Sequence, residues 1–290
     1  MNSKLLLLIG FLLCLFSCKN VPDAKVYTQT QPNISAKTFF HQTEKTLVSA
    51  HRGGSGIKGF PENAIETLDF LYQQGINVFE IDVFQTEDKE IMLLHDNHLE
   101  RTTNGNGSLN RKTAKQLLQY NLVDDFGTET SFKIPFLHQA LDWAKNKNAF
   151  LMIDFKKSAK YEDVIELIRS KNMQDQVVLI SYSVGQAKKQ NRLAPEMMIS
   201  VSARNEKELD WILETEIPVE QMIAFTGTQL SRPELYNRLN ELKIPVILGT
   251  LGNLDRRAEA RGNEMYKKWA DLGIQIIATD RAIEAYNALK

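Results

Sequence analysis

From residue 47 to residue 289, short apolar runs alternate with segments of helical period about eight times. The runs at 47–50, 78–83, 150–155, 177–182, 197–202, 222–225, 246–251 and 274–278 read as strands. Between them, 63–74, 135–147, 161–171, 185–193, 206–214, 232–243 and 255–272 read as helices, and 283–289 closes the chain as another. In 63–74, for instance, Ile65, Leu68, Leu71 and Tyr72 fall on one helical face, with Asn63 placed to cap it and Glu66 three residues on. Strands separated by helices run parallel, and parallel strands are buried on both faces. The count and length predict a closed (β/α)8 TIM barrel. A doubly wound open sheet is the alternative; the count of about eight strand–helix units favours the closed barrel over it. Residues 90–95 continue extended, and 97–134 is long for a barrel loop, so it is expected as a small insertion after the second strand, above the mouth.

The N-terminus has a different character. Lys4 precedes an almost wholly apolar run, 5–16, that is short for a bilayer span. It ends in Leu15-Phe16-Ser17-Cys18, which resembles a bacterial lipobox. Residues 1–18 are therefore expected to be a lipoprotein signal peptide with Cys18 lipidated, 19–45 a polar tether, and 46–290 the barrel. Localisation would then be the bacterial cell envelope, with the membrane as partner through the anchor, facing the periplasm or the cell surface. Both cysteines, Cys14 and Cys18, lie in this leader, so the remainder must be stable without disulfides. A net charge of -1 gives no basic field for nucleic acid.

Chemistry concentrates between residues 47 and 96. His51 and Arg52 stand just past the first strand, where barrel active sites collect. Glu80 and Asp82 are two apart in the second strand and share a face; Asp154 and Lys156 repeat the spacing in the third. Carboxylates crowded into a buried interior repel unless a cation lies among them, and an all-oxygen set suits Mg²⁺ or Ca²⁺ better than Zn²⁺. The bland reading is an edge strand with a solvated face. His51 and His95 end consecutive extended segments and can exchange protons near neutral pH. His41, His98 and His138 lack such company. Arg52 offers a planar fork to phosphate or a salt bridge to Glu62. Lys156 adds charge to the same phosphate or balances Asp154. Glu62 reaches the site or only favours the helix N-terminus behind it. Gly53, Gly54, Gly56 and Gly59 are expected to make the loop after Arg52 flexible.

These residues resemble the glycerophosphodiester phosphodiesterase family. The matching pieces are His51-Arg52-Gly53, Pro61-Glu62-Asn63, Glu80-Ile81-Asp82 and His95-Asp96, in the family's order, with 277–281 similar to its closing strand. Each piece is common; the ordered set is specific, and the likeness spans 47–290. It implies metal-dependent hydrolysis of glycerophosphodiesters to glycerol 3-phosphate and an alcohol. His51 and His95 would be acid and base, Glu80, Asp82 and Asp154 the ligands of Ca²⁺ or Mg²⁺, and Arg52 the phosphate-binding residue. The chain departs from the family twice. Asp154-Phe155-Lys156 replaces the usual Glu-x-Lys, as in phospholipase D-type sphingomyelinases. Around Gly249 it lacks the tryptophan that often lies beside the glycerol. Trp143, Trp211 and Trp269 fall in helical patterns instead and are expected to pack.

Two competing readings remain at this level. One is cleavage of headgroups from intact phospholipids or lysophospholipids, against which 102–113 is polar rather than an apolar membrane loop. The other is a non-catalytic solute-binding lipoprotein, against which no histidine or carboxylate of the set is missing.

Overall fold

The computed structural model describes residues 34–109 and 111–290. The expected signal peptide, Cys18 and most of the tether lie outside the described residues. Among those described, no helix is long and apolar enough to cross a membrane.

Eight parallel strands form the barrel: β1 (Leu47–Ala50), β2 (Val78–Gln85), β4 (Phe150–Phe155), β5 (Val177–Ile180), β6 (Met198–Ser202), β7 (Met222–Phe225), β8 (Val246–Gly249) and β9 (Ile276–Thr279). β1 pairs with both β2 and β9, which closes the ring. The extended run at 90–95 is shorter than expected. Only β3 (Ile91–Leu93) is strand, and it folds back antiparallel on the end of β2. The helix expected over 255–272 is two, Asn253–Arg261 and Glu264–Ala270, because Gly262 between them takes φ 109°, outside helical space.

Strand alternation sorts the core into two shells. Phe79, Ile81, Val83, Leu151, Ile153 and Leu179 point outward and pack under the helices. Val78, Phe150, Met152, Val178, Met198, Ile223, Ile247 and Ile276 point inward and fill the lower barrel. Climbing β2 by twos from Val78 leads to Glu80 and Asp82; climbing β4 from Phe150 leads to Met152 and Asp154. The interior therefore turns from apolar at the bottom to acidic at the top, within the same strands.

Residues 34–45, read as tether, belong to the barrel. Ser35 caps the helix Ala36–Gln42 by accepting from the Thr38 amide. Phe40 is 1% exposed and joins the inner core, and Phe39 stacks on Phe150 with centroids 4.2 Å apart. Polar neighbours conceal this aromatic pair, which closes the bottom of the ring. Of the tryptophans, Trp269 is buried and Trp143 half-buried as expected, but Trp211 is exposed beneath the Lys207 ammonium.

The insertion has its own small core. Leu99, Leu109, Ala114, Leu117, Leu122 and Ile134 pack with Ala64, Phe84, Met92 and Leu94. It thereby stands on the top of β2 and β3, beside the barrel mouth.

Candidate active site

The acidic set converges as the alternation predicts. Asp82 and Asp154 are register partners on adjacent strands, and Glu80 lies one step below. Glu80, Asp82 and Asp154 are all buried, with one oxygen of each within 4.8 Å of the others. An edge strand with a solvated face is thereby excluded. Lys156 sets its ammonium between the two aspartates, 2.6 Å from Asp82 Oδ1 and 2.8 Å from Asp154 Oδ2. Of its two expected roles, the balancing one is what this arrangement displays. Asn63 is no helix cap: its amide donates to Asp82 Oδ2 at 2.8 Å, and its carbonyl oxygen accepts from the Asp82 amide at 3.0 Å.

One ammonium does not balance three carboxylates. Burial, with the charges of Asp82 and Asp154 close by, pushes Glu80 up to about 8. Asp82 stays below the usual range; burial opposes this, but the Lys156 charge and its hydrogen bond prevail. Asp154 Oδ1 is buried without a partner. Surplus negative charge, an unsatisfied oxygen and an all-oxygen donor set fit a hard divalent cation.

Both histidines face this cluster. His51 ends β1, and its Nδ1 lies 2.6 Å from Asp280 Oδ1, just past β9. Its Nε2 points to Glu80, 3.9 Å away. Burial lowers the His51 pKa, but the bond to Asp280 and the charges of Glu80 and Asp280 overcome it, and the net shift is upward. His95, past β3, places Nδ1 2.6 Å from Asp96 Oδ1. Its Nε2 lies 2.9 Å from Arg52 Nη2, and since a guanidinium only donates, Nε2 accepts there. Each imidazole thus donates Nδ1–H to a carboxylate and turns Nε2 inward. His41 and His138 lie away from the cavity as expected, His138 stacked on Phe136. His98 is exposed near Glu100.

Arg52 takes a left-handed backbone, φ 54° and ψ 34°, which turns its amide onto Glu80 Oε2 at 2.7 Å. Its Nη1 donates to Glu62 at 3.1 Å, and its Nε is buried with no partner. Glu62 reaches the site and is buried there. The glycine loop behind is pinned, not flexible. The Gly56 and Gly59 amides each donate at 2.6 Å to insertion carboxylates, Asp125 and Asp124. At Gly54, φ 122° and a Cβ position only 2.5 Å from Leu71 Cδ1 admit no side chain.

Sequence reading missed Asp280, Asp255, Asp96 and Arg101 as site residues. Buried Asp255 accepts from Tyr266 Oη, Thr279 Oγ1 and the Asp280 amide, fixing the backbone that carries Asp280. A carboxylate immediately after a barrel strand was the available signal for Asp280.

The cavity over the cluster holds ≈ 300 Å³. Its acidic floor and histidines face an apolar wall of Ile180, Phe225, Ile247 and Leu251, with exposed Tyr182 at the rim. Gly249 leaves room for the Phe225 ring, whose Cε2 lies 3.1 Å from where a Cβ would stand. An aromatic ring is therefore present at this wall despite the missing tryptophan.

The molecule is thus a TIM barrel whose mouth gathers an acidic cluster able to hold a metal ion, two carboxylate-oriented imidazoles and an arginine. The chain belongs to the Glycerophosphoryl diester phosphodiesterase family, whose family model matches residues 51–281. Among curated proteins it is 28% identical over 163 residues to a glycerophosphodiester phosphodiesterase of Caldanaerobacter subterraneus, covering 54% of this chain and 66% of that protein. It is 31% identical over 151 residues to human glycerophosphodiester phosphodiesterase 1, covering 50% and 41%. The chain thus spans at most about two thirds of the curated relatives it matches. Among solved structures, a glycerophosphoryl diester phosphodiesterase from Parabacteroides distasonis shares 29% identity at TM-score 0.77, covering 87% of this chain and 89% of that one.

Proposed function

We propose that this protein hydrolyses glycerophosphodiesters to glycerol 3-phosphate and an alcohol, with a divalent cation, Mg²⁺ or Ca²⁺, held by Glu80, Asp82 and Asp154. The observation that carries this reading is that both histidines, each held at Nδ1 by a carboxylate, line one cavity over a buried carboxylate cluster. The family and the named relatives support the substrate class.

Hydrolysis needs a proton removed from the attacking oxygen and one delivered to the departing alkoxide. His51 and His95, both lining the cavity, do this, each steadied by its carboxylate, Asp280 or Asp96. Arg52 offers the Nη hydrogens not spent on Glu62 and His95 to the phosphoryl oxygens. Asn63 and Lys156 hold Asp82 in place, and Lys156 adds positive charge beside the phosphate. A bound divalent cation supplies Lewis-acid stabilisation of the charge that develops on phosphorus-bound oxygens. The apolar wall excludes water from one side and accepts the carbon skeleton of glycerol or of the leaving alcohol. We further propose, on the N-terminal sequence alone, that the enzyme is tethered to the cell envelope through Cys18.

The test is glycerol 3-phosphate release from glycerophosphocholine, glycerophosphoethanolamine and glycerophosphoinositol, with Mg²⁺ or Ca²⁺ present. Release from at least one supports the reading; release from none rejects it. Faster headgroup release from lysophosphatidylcholine than from all three would favour the lipid-cleaving reading instead.

A further inference from the structure

The insertion contributes one charged side chain that touches neither the cavity nor the acidic cluster, yet meets both orienting carboxylates on that side. Arg101 donates Nε to Asp96 Oδ2 at 2.6 Å and Nη2 to Asp96 Oδ1 at 2.9 Å. Its other edge donates Nη1 to Glu62 Oε2 at 2.7 Å and Nη2 to Glu62 Oε1 at 2.9 Å. Asp96 in turn holds His95 Nδ1, His95 Nε2 meets Arg52 Nη2, and Arg52 Nη1 returns to Glu62. Five side chains therefore close a ring: Arg101, Asp96, His95, Arg52 and Glu62. With His95 neutral the ring carries two positive and two negative charges.

We propose that Arg101 is a positioning residue that sets the base or acid His95 and the phosphate-binding Arg52 together. The inference rests on the hydrolase reading above. Glu62 is buried, so its charge must be met from within the protein. While Arg101 meets it through two parallel bonds, Arg52 gives one Nη1 bond to Glu62 and one Nη2 bond to His95 and keeps its remaining Nη hydrogens for phosphate. Without Arg101, Glu62 draws the whole Arg52 guanidinium, and Asp96 loses the fork that aims it at His95. Lysine cannot replace this function, because a point charge does not span two carboxylates edge to edge.

Kinetics of the full chain on glycerophosphocholine with Mg²⁺ test it, using Arg101→Ala and Arg101→Lys. Both are expected to lower kcat/KM roughly 10–100-fold, as loss of an orienting partner does. KM rises as Arg52 is diverted and kcat falls as His95 loosens. Millimolar guanidinium chloride should restore part of the Arg101→Ala rate. Adding Asp96→Asn to Arg101→Ala should cost much less than Asp96→Asn costs alone. A merely structural role would reduce the active fraction at unchanged KM, with no rescue, and would overturn the proposal, as would values within twofold of wild type. If Arg101→Ala does not fold, the KM of Arg101→Lys decides by the same criterion. If glycerophosphocholine with Mg²⁺ is not turned over, the same kinetics are run on glycerophosphoethanolamine or glycerophosphoinositol with Mg²⁺ or Ca²⁺; absence of wild-type turnover on all three would instead fail the hydrolase reading, and this inference with it.

Discussion

His51 and Asp280 lie 229 residues apart in the chain and 2.6 Å apart in space. The first and last barrel strands are hydrogen-bonded neighbours, so closing the ring is what assembles this pair. Asp280 also accepts from Ser55, and its backbone is fixed by Asp255. Asp280→Asn keeps an acceptor for Nδ1–H but removes the charge that favours the imidazolium. Its kcat is expected to fall roughly 10–100-fold. The limb of the pH–rate profile that reports His51 should move to lower pH, because Asp280 is a main cause of its upward shift. An unmoved limb would separate Asp280 from the proton transfer.

Glu80 gives the metal-free protein a distinctive pH response. Its folded pKa is about 8, above the ordinary 4.5. Between those values the folded chain holds a proton that the unfolded chain has lost, so Glu80 makes stability fall as pH rises through that window. A divalent cation opposes this by favouring the ionised carboxylate. Thermal unfolding in chelator should show a lower Tm at pH 8.5 than at pH 6. Adding Mg²⁺ or Ca²⁺ should raise Tm more at pH 8.5. Glu80→Gln should flatten both trends; a cation effect independent of pH and of Glu80 would place the ion elsewhere.

His51→Ala and His95→Ala are each expected to lower turnover roughly 100- to 10,000-fold while the fold persists. Their side chains are 20% and 31% exposed, so truncation leaves no large sealed cavity. Circular dichroism and Tm would check the fold alongside the rate. A near-normal rate in either variant would remove that histidine from the mechanism.

Phe40→Ala is expected to destabilise the barrel by about 3–5 kcal/mol, the cost of a buried aromatic truncation. Urea unfolding would measure it. A loss below about 1 kcal/mol would return the helix Ala36–Gln42 to the status of a tether, since exposed changes cost little.

The barrel and the acidic floor were legible because both follow from period. Alternation at two residues puts Glu80 with Asp82 and Asp154 with Lys156, and adjacency of the two strands does the rest. Long-range partners were not legible. Asn63 satisfies a local capping pattern, yet Asp82 claims its side chain across 19 residues. Arg101 sits in a polar segment that reads as loop, and its partners Glu62 and Asp96 meet only once the insertion packs. Phe39 and Phe40 lie among polar residues, so a period search over that segment finds no face to bury. The apparent flexibility of the glycine loop failed for a related reason: the carboxylates that pin it come from residues 124 and 125.

The central claim is tested most directly by titrating chelator-treated protein with Mg²⁺ or Ca²⁺ while following glycerol 3-phosphate release. The account predicts negligible release without cation and saturable activation that tracks binding of a single ion per chain. It also predicts weaker apparent affinity in Asp154→Asn. Full turnover by the metal-free protein, or activation unchanged when Glu80, Asp82 and Asp154 are all replaced by their amides, would contradict it.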